Sequence, residues 1–462
     1  MKRIVVKFGG SNLKSRDSIS KLIEVIKAYN RPLIIVISAL YGVTDKLVKI
    51  LPMIPADKDV IKEIRDYLFT KHKHILDIYI EKGEFLKDSV DRLDQRIEEI
   101  MNYLLGIYYF KEIPDFAEAT ILSYGERLCS LILKFILNYK RIQCEEILPE
   151  AMGLITDGDF HDASIDFKSS KINLRKSLNL ADTTYIIPGF YGISKSNRVT
   201  LLGRGGSDYS AAAIAQCIKA ESVDLWKDVS GFMSADPKLF KDAVEIKQLS
   251  YEEAAELSYF GAEILHPRTF EPLMEMNISI RIFNINKFSK KLVPSTIIKD
   301  GRVITNDVVK SITSSDDFAI LKFNGARIGI KPGIMARITT GLNDAKINIK
   351  SIITAQTSIN ILFSQSDLKK SYEIIKELNL TSIDEIIAID SVSLIAVVGE
   401  GMLEKAGVAS RVFSAVSSHK INILIISAGA SQVATYFIID KKDKKQAIVA
   451  IHKEFFHKIS KL

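Results

Sequence analysis

The feature that most restricts how this chain can fold is a repeat in its last third. The segment GIMARITTGLNDAKINI from Gly333 and the segment GVASRVFSAVSSHKINI from Gly407 agree at the leading glycine. They agree again at an arginine four residues on (Arg337, Arg411) and over Lys346–Ile349 and Lys420–Ile423. Every matched pair has the same separation, so the copies are whole units in one register. Each reads as strand, helix, strand, strand, helix, strand, with the second helices at 367–378 and 441–454. That order predicts a four-stranded antiparallel sheet with two helices on one face. Such a pair is either a duplicated structural module or a pair of small-molecule sensors, and fold alone does not choose between them.

The chain ahead of the repeat has a different rhythm. Apolar runs at Ile4–Phe8, Leu33–Ser38, Tyr185–Pro188, Val199–Gly203, Ser222–Trp226 and Ser279–Phe283 alternate with helical patterns, as a mostly parallel α/β sheet requires. A charged, glycine-poor stretch between Pro55 and Pro114 has helical periodicity and reads as an excursion from that sheet. The polar region Val293–Ser315 reads as a boundary. The expected domains are therefore 1–300, with the excursion over 55–115, then 315–390 and 391–462. A chain of 462 residues exceeds the roughly 100 to 200 of a single domain, which agrees.

Composition excludes several classes. The 47% hydrophobic and 26% charged content is that of a globular protein. The 63 basic and 56 acidic residues are interspersed, without the basic face of a nucleic-acid binder. Cys129, Cys144 and Cys217 have no ligand spacing, which predicts a reducing compartment without disulfides or zinc. The start MKRIVV enters a strand at once, and no apolar run approaches the roughly 18 residues of a membrane span. A cytoplasmic protein is expected.

Two glycine-rich turns carry the chemistry. In KFGGSNL, Lys7 ends a strand and Gly9 and Gly10 follow, so backbone N–H groups can approach an anion beside a mobile cation; the same residues also suit a plain tight turn. In LLGRGGSDYSAAAIA, from Leu201, three glycines join a strand to an alanine-rich helix. Arg204 lies in the turn, and Ser207 and Asp208 stand where the helix begins. If the two turns met at the carboxyl edge of one sheet, they would surround a triphosphate with donors.

With these motifs the chain resembles the aspartokinases, of the amino-acid kinase superfamily, along almost its whole length. The matching segments are KFGGSNL, VISALYGVTDKL from Val36, SYGERL from Ser123, PGFYG from Pro188, LLGRGGSDYSAA, WKDVSGFMSADPK from Trp226 and LSYEEAAELSYFGAEILHPRT from Leu249. The resemblance implies an αβα amino-acid-kinase domain, its mostly parallel sheet sandwiched by helices, followed by two ferredoxin-like βαββαβ ACT domains. It implies transfer of the γ-phosphoryl group of ATP, with Mg2+, to the side-chain carboxylate of L-aspartate, with no tightly bound cofactor.

By the same resemblance Lys7 and Asp208 are catalytic, and Gly9 and Gly10 bind phosphate. Ser38, Thr44, Glu126, Arg204 and Ser207 hold aspartate, with Glu126 on the α-ammonium and Arg204 on the α-carboxylate. Lys227, Asp228, Met233, Lys238 and Glu263 fall in the nucleotide site. Lys227 stands where threonine is common, Met233 where an aromatic is common, and Glu263 where many relatives have lysine.

His266, in LHPR, reads as a packed turn residue, and His72 and His74, in a lysine-rich helical stretch, as solvent-facing. No His or Cys grouping has metal spacing. The glycines of VVGEGM, Val397–Met402, read as a strand-to-loop turn. The ACT pair implies a homodimer or larger oligomer under feedback control, with Ile334, Met335, Ala336, Ile353, Gln356, Thr357 and Ser358 at the effector pocket. Lys350 and Gln356 stand where lysine-sensing relatives place acids, which counts against lysine as the effector. Two other readings are a different kinase of the same superfamily and an amino-acid-responsive binding protein with a decayed kinase domain.

Overall fold

The computed structural model describes residues 2–305 and 307–456. The chain divides into two units. One comprises Met1–Phe232, Glu245–Ala255 and Glu263–Arg302; the other comprises Met233–Val244, Glu256–Ala262 and the chain from Val303 onward.

The first unit is built on strands β1 (Ile4–Phe8), β2 (Ile34–Ile37), β3 (Glu145–Glu146), β4 (Tyr185–Pro188), β5 (Tyr191–Ile193), β6 (Val199–Leu201), β7 (Ser222–Lys227), β8 (Gln248–Leu249), β9 (Ser279–Asn284) and β10 (Thr296–Ile298). Eight of them form one sheet in the order β3-β4-β2-β1-β7-β9-β10-β8, while β5 and β6 pair as a separate hairpin. From β3 to β9 every pairing is parallel; β10 runs antiparallel to β9. The runs IVVKF, IIVI and YIIP are buried at every residue. A parallel strand covered on both faces has no solvent side, which is why these runs are apolar without alternation. Lys7 is the exception and needs a partner indoors.

The excursion is two helices, Asp59–Tyr79 and Glu84–Phe110, packed on each other and on the helix that follows them, Asp115–Tyr139. Ile64, Leu68 and Leu76 form the inner stripe of the first at helical spacing, and all are fully buried. His72 lies on that stripe and is fully buried too, so the expectation that it faces solvent is wrong. The lysines around it occupy the other faces. Its Nδ1 lies 2.7 Å from the Leu68 carbonyl oxygen, and burial lowers its pKa to about 4. His74 is exposed.

In the second unit the strands are β11 (Ser311–Ser315), β12 (Ala319–Asn324), β13 (Ser351–Thr354), β14 (Ser358–Phe363), β15 (Glu385–Ile389), β16 (Val392–Val398), β17 (Ile423–Ser427) and β18 (Ala434–Asp440). They form two antiparallel sheets, β13-β14-β12-β15 and β11-β16-β18-β17. The first module is contiguous and has the expected order, with helices Ile334–Asp344 and Leu368–Glu377. The second is not: its fourth strand is β11, which precedes the first module in the chain. The expected closing strand after helix Lys444–Phe456 would fall in 457–462, outside the described residues. The stretch 293–315, read as a polar boundary, thus contains both β10 and β11. Its serines and threonines pair in strands because the neighbouring strand, not local composition, decides. The glycines of VVGEGM follow β16 in a turn, with Gly401 at φ +90°.

Candidate active site

Register sets the first part of the site. Lys7 on β1 pairs with Leu225 on β7, so Lys7 and Lys227 project from the same face of the sheet. Phe8 and Trp226 stack on the opposite face, ring centroids 6.3 Å apart. The helix Gly206–Ile218 follows a turn in which Gly203 and Gly205 have φ of +69° and +71°, a conformation that favours glycine. Asp208 lies in its first turn. Its Oδ1 is 2.5 Å from Lys7 Nζ, and its Oδ2 accepts a hydrogen bond of 2.7 Å from Lys227 Nζ.

Burial alone would raise the Asp208 pKa, but the ammonium groups of Lys227 and Lys7 outweigh it and hold the carboxyl well below the usual range. Burial lowers the Lys7 pKa, with Asp208 opposing. The cluster is one carboxylate between two cations.

The glycines after Lys7 lie close to their neighbours, Gly10 the more tightly. A β-carbon at Gly9 would lie 3.5 Å from Lys7 Nζ, and one at Gly10 would lie 3.3 Å from the Ala39 carbonyl oxygen. Asn12, fully buried, donates from Nδ2 to the Trp226 carbonyl oxygen at 2.7 Å and ties this turn to the end of β7.

Across the β1 and β2 ends, the helix Asp115–Tyr139 comes unusually near the loop after β2. At Gly125 a β-carbon would lie 2.8 Å from the Ala39 β-carbon and 3.2 Å from Thr44 Oγ1. The next residue, Glu126, is 4% exposed and its Oε2 has no hydrogen-bond partner among the described residues. Burial raises its pKa to about 8, against a backbone hydrogen bond from Ala39 and the charge of Lys7. Arg127 anchors this helix through Glu150 at 2.6 Å and also donates to Ser123 Oγ, one turn earlier in the same helix, at 2.9 Å.

Ser38 donates its N–H to the Phe8 carbonyl oxygen at 3.3 Å. Ser207 lies against Gly189, where a β-carbon would approach the Ser207 β-carbon to 2.9 Å. The ends of β1, β2, β4 and β7 therefore gather Lys7, Gly9, Gly10, Ser38, Thr44, Glu126, Ser207, Asp208 and Lys227.

Arg204 is exposed on the glycine turn, and that turn is clamped from outside. Arg268 pairs through Nη1 with Asp162, donates to the Ala163 carbonyl oxygen at 2.8 Å and the Leu202 carbonyl oxygen at 3.3 Å, and reaches Ser164 Oγ at 3.2 Å. His266 packs so closely that a β-carbon at Gly205 would lie 2.5 Å from its own. Sequence reasoning passed over Asn12, Arg127 and Arg268, although all three lie in quoted motifs, KFGGSNL, SYGERL and LHPRT.

The remaining nucleotide candidates lie outside this cluster of strand ends. Asp228 is exposed, with its carbonyl oxygen accepting from Asn286 at 3.3 Å, and Glu263 is exposed in a turn. Met233 and Lys238 belong to the second unit. Among the described residues no group of three His, Cys, Asp or Glu side chains could hold a metal ion, and no helix is long and apolar enough to cross a membrane.

The second unit has a cavity of about 530 Å³, lined among others by Ile328, Lys331, Ile334, Met335, Thr354 and Gln356. Ile334, Met335 and Gln356 were expected there; Ala336, Ile353, Thr357 and Ser358 flank it on the same segments. Lys350 is committed elsewhere, to Asp317 at 3.0 Å.

The amino acid kinase family matches residues 2–284, and the ACT domain matches residues 313–377 and 395–455. The chain belongs to the amino acid kinase family. As an amino acid kinase with two ACT domains it is similar to the bifunctional aspartokinase/homoserine dehydrogenase of Buchnera aphidicola, at 30% identity over 98% of this chain and 56% of that protein. It thus spans little more than half of that relative. Aspartokinase 1 of Arabidopsis thaliana, chloroplastic, is 28% identical over 98% of this chain and 80% of its own length. Among solved structures, E. coli aspartokinase III in complex with aspartate and ADP superposes with a TM-score of 0.82 at 23% identity, covering 98% of this chain and 100% of that one. Clostridium acetobutylicum aspartate kinase does so at 0.79 and 26%, covering 98% and 100%.

Proposed function

We propose that this chain is an aspartate kinase, which transfers the γ-phosphoryl group of ATP to the side-chain carboxylate of L-aspartate and yields 4-phospho-L-aspartate and ADP. The observation that carries this reading is the unpartnered Oε2 of buried Glu126 beside the Lys7–Asp208–Lys227 cluster. A buried, unpartnered carboxyl that feels the charge of Lys7 suits a ligand that brings both an ammonium and anions. An amino acid meeting a nucleotide is such a ligand.

The acceptor carboxylate has a reference pKa near 3.9 and is ionised at neutral pH, so no general base is needed. What the site must supply is alignment and relief of charge. Lys7 stabilises the transferring phosphoryl group, and the amides of Gly9 and Gly10 donate to its oxygens. Asp208 orients Lys7. Glu126 takes the α-ammonium, Arg204 the α-carboxylate, and Ser38, Thr44 and Ser207 supply hydroxyl contacts. Asp228, Met233, Lys238 and Glu263 are assigned to the nucleotide side. Mg2+ enters with ATP, held mainly by phosphates and water.

The reaction is the first step of lysine, threonine and methionine biosynthesis, in the cytoplasm. The ACT cavity takes an amino-acid effector, and Lys331 in its lining favours one that presents a carboxylate. The exposed Ile352 on edge strand β13 and Leu424 and Ile426 on edge strand β17 support assembly through the ACT sheets.

The test is hydroxamate trapping of aspartyl phosphate from ATP and L-aspartate, with lysine, threonine, methionine and S-adenosylmethionine added in turn. Lys7→Ala and Asp208→Asn serve as folded controls whose turnover falls by orders of magnitude. Absence of hydroxamate from the unaltered chain, or full turnover in either variant, would overturn the reading.

A further inference from the structure

A single buried carboxylate is neutralised by one cation, yet Asp208 has a lysine on each oxygen. The two ammonium groups come from adjacent parallel strands and the same sheet face. The β1–β7 register runs through Phe8 and Trp226, which brings Lys227 alongside Gly9. Holding a second cation there raises the charge of the cluster to a net positive one, at the strand ends where the glycine turn opens. Lys227 is also the more open of the pair, its side chain 17% exposed against 7% for Lys7. An ion pair built for the fold alone would not need the second lysine, whereas a site for the anionic end of a nucleotide would.

We propose that Lys227 is a second catalytic cation, oriented by Asp208 opposite Lys7, which contacts the terminal phosphates of ATP. This assigns it to the phosphate end of the nucleotide, away from the adenosine, and rests on the reading of the site as one for phosphoryl transfer. In that transfer the bond from the γ-phosphorus to the β,γ-bridging oxygen breaks, and its electron pair stays on ADP. The acceptor oxygen supplies the pair for the new bond. Neither lysine gives up a proton; both offset charge on the phosphoryl oxygens and the leaving group.

The experiment is calorimetric binding of ATP, ADP and AMP to the full chain and to Lys227→Met and Lys227→Arg, without any acceptor. Thermal melts establish that each variant is folded. Lys227→Met is expected to weaken ATP about tenfold or more, ADP less, and AMP by no more than about twofold, while Lys227→Arg retains most of the ATP affinity. Turnover of Lys227→Met is expected to fall roughly 100-fold. Equal weakening of all three nucleotides would put the lysine on the adenosine and overturn the proposal, as would unchanged ATP affinity in both variants. Because no acceptor is present, the graded loss supports the proposal even if aspartate proves not to be the substrate.

Discussion

Gly125 and Ala39 approach so closely that a β-carbon on the glycine would stand 2.8 Å from that of the alanine. The contact seats the helix Asp115–Tyr139 against the loop after β2, and so decides where Glu126 points.

Gly125→Ala should therefore separate the helix from this loop. Overpacking costs roughly 1 to 3 kcal/mol, offset in part by about 1 kcal/mol of helix propensity. The expected result is a modest fall in melting temperature with a KM for aspartate raised about tenfold or more, since the change displaces Glu126 from the position in which it is proposed to hold the α-ammonium. Steady-state kinetics beside a thermal melt checks both.

Glu126, with its pKa raised to about 8, holds a proton in the folded chain that the unfolded chain releases near pH 4.3. Stability contributed by this residue is thus full at low pH and falls as pH rises from about 4.3 to 8, by up to roughly 5 kcal/mol. Glu126→Gln should be the more stable protein above pH 8, with the difference vanishing near pH 4. Binding of aspartate at pH 7 should release close to one proton from the unaltered chain and none from the variant. Calorimetry in buffers of different ionisation enthalpy reads this directly.

In the proposed reaction Arg268 acts on substrate only through the turn it clamps. Arg268→Ala is expected to raise the KM for aspartate roughly tenfold by loosening Arg204, while ATP affinity changes by less than about twofold. Arg268→Lys should recover only part of the loss, since an ammonium cannot span Asp162 and the Ala163 and Leu202 carbonyl groups together. A parallel loss of ATP affinity would point to general unfolding of the site.

His72 works in the opposite direction to Glu126. Its pKa of about 4 lies below the ordinary 6.5, so the folded chain refuses a proton that the unfolded chain takes. Stability is complete above pH 6.5 and falls as pH drops toward 4, by up to roughly 3 kcal/mol. His72→Leu should flatten that acid limb, as urea midpoints between pH 7 and 4.5 will reveal.

Much of this was legible in the chain itself. The buried strands, both glycine turns, the helical excursion and the duplicated module all leave local patterns, and Lys7 and Asp208 stand where those patterns end. What escaped depends on neighbours distant in sequence. Lys227 looks like part of a nucleotide loop until the β1–β7 register turns it onto Asp208. His72 sits among lysines in the sequence but on the apolar stripe of its helix. Arg268 gains its meaning only from a loop more than a hundred residues earlier. Ser311–Ser315 carries no strand signal of its own and becomes one by pairing with Val392–Val398.

That last pairing makes the pair of ACT modules a nested structure. The first module can fold as soon as 319–389 has been synthesised, whereas its partner must wait for the chain's late arrival and then reach back to a strand made long before. A fragment begun at 391 would expose the flank of Val392–Val398 as a sticky edge prone to self-association. The same nesting means that any strain ligand binding puts on the inner module is felt at both of its ends, each covalently joined to a strand of the outer one.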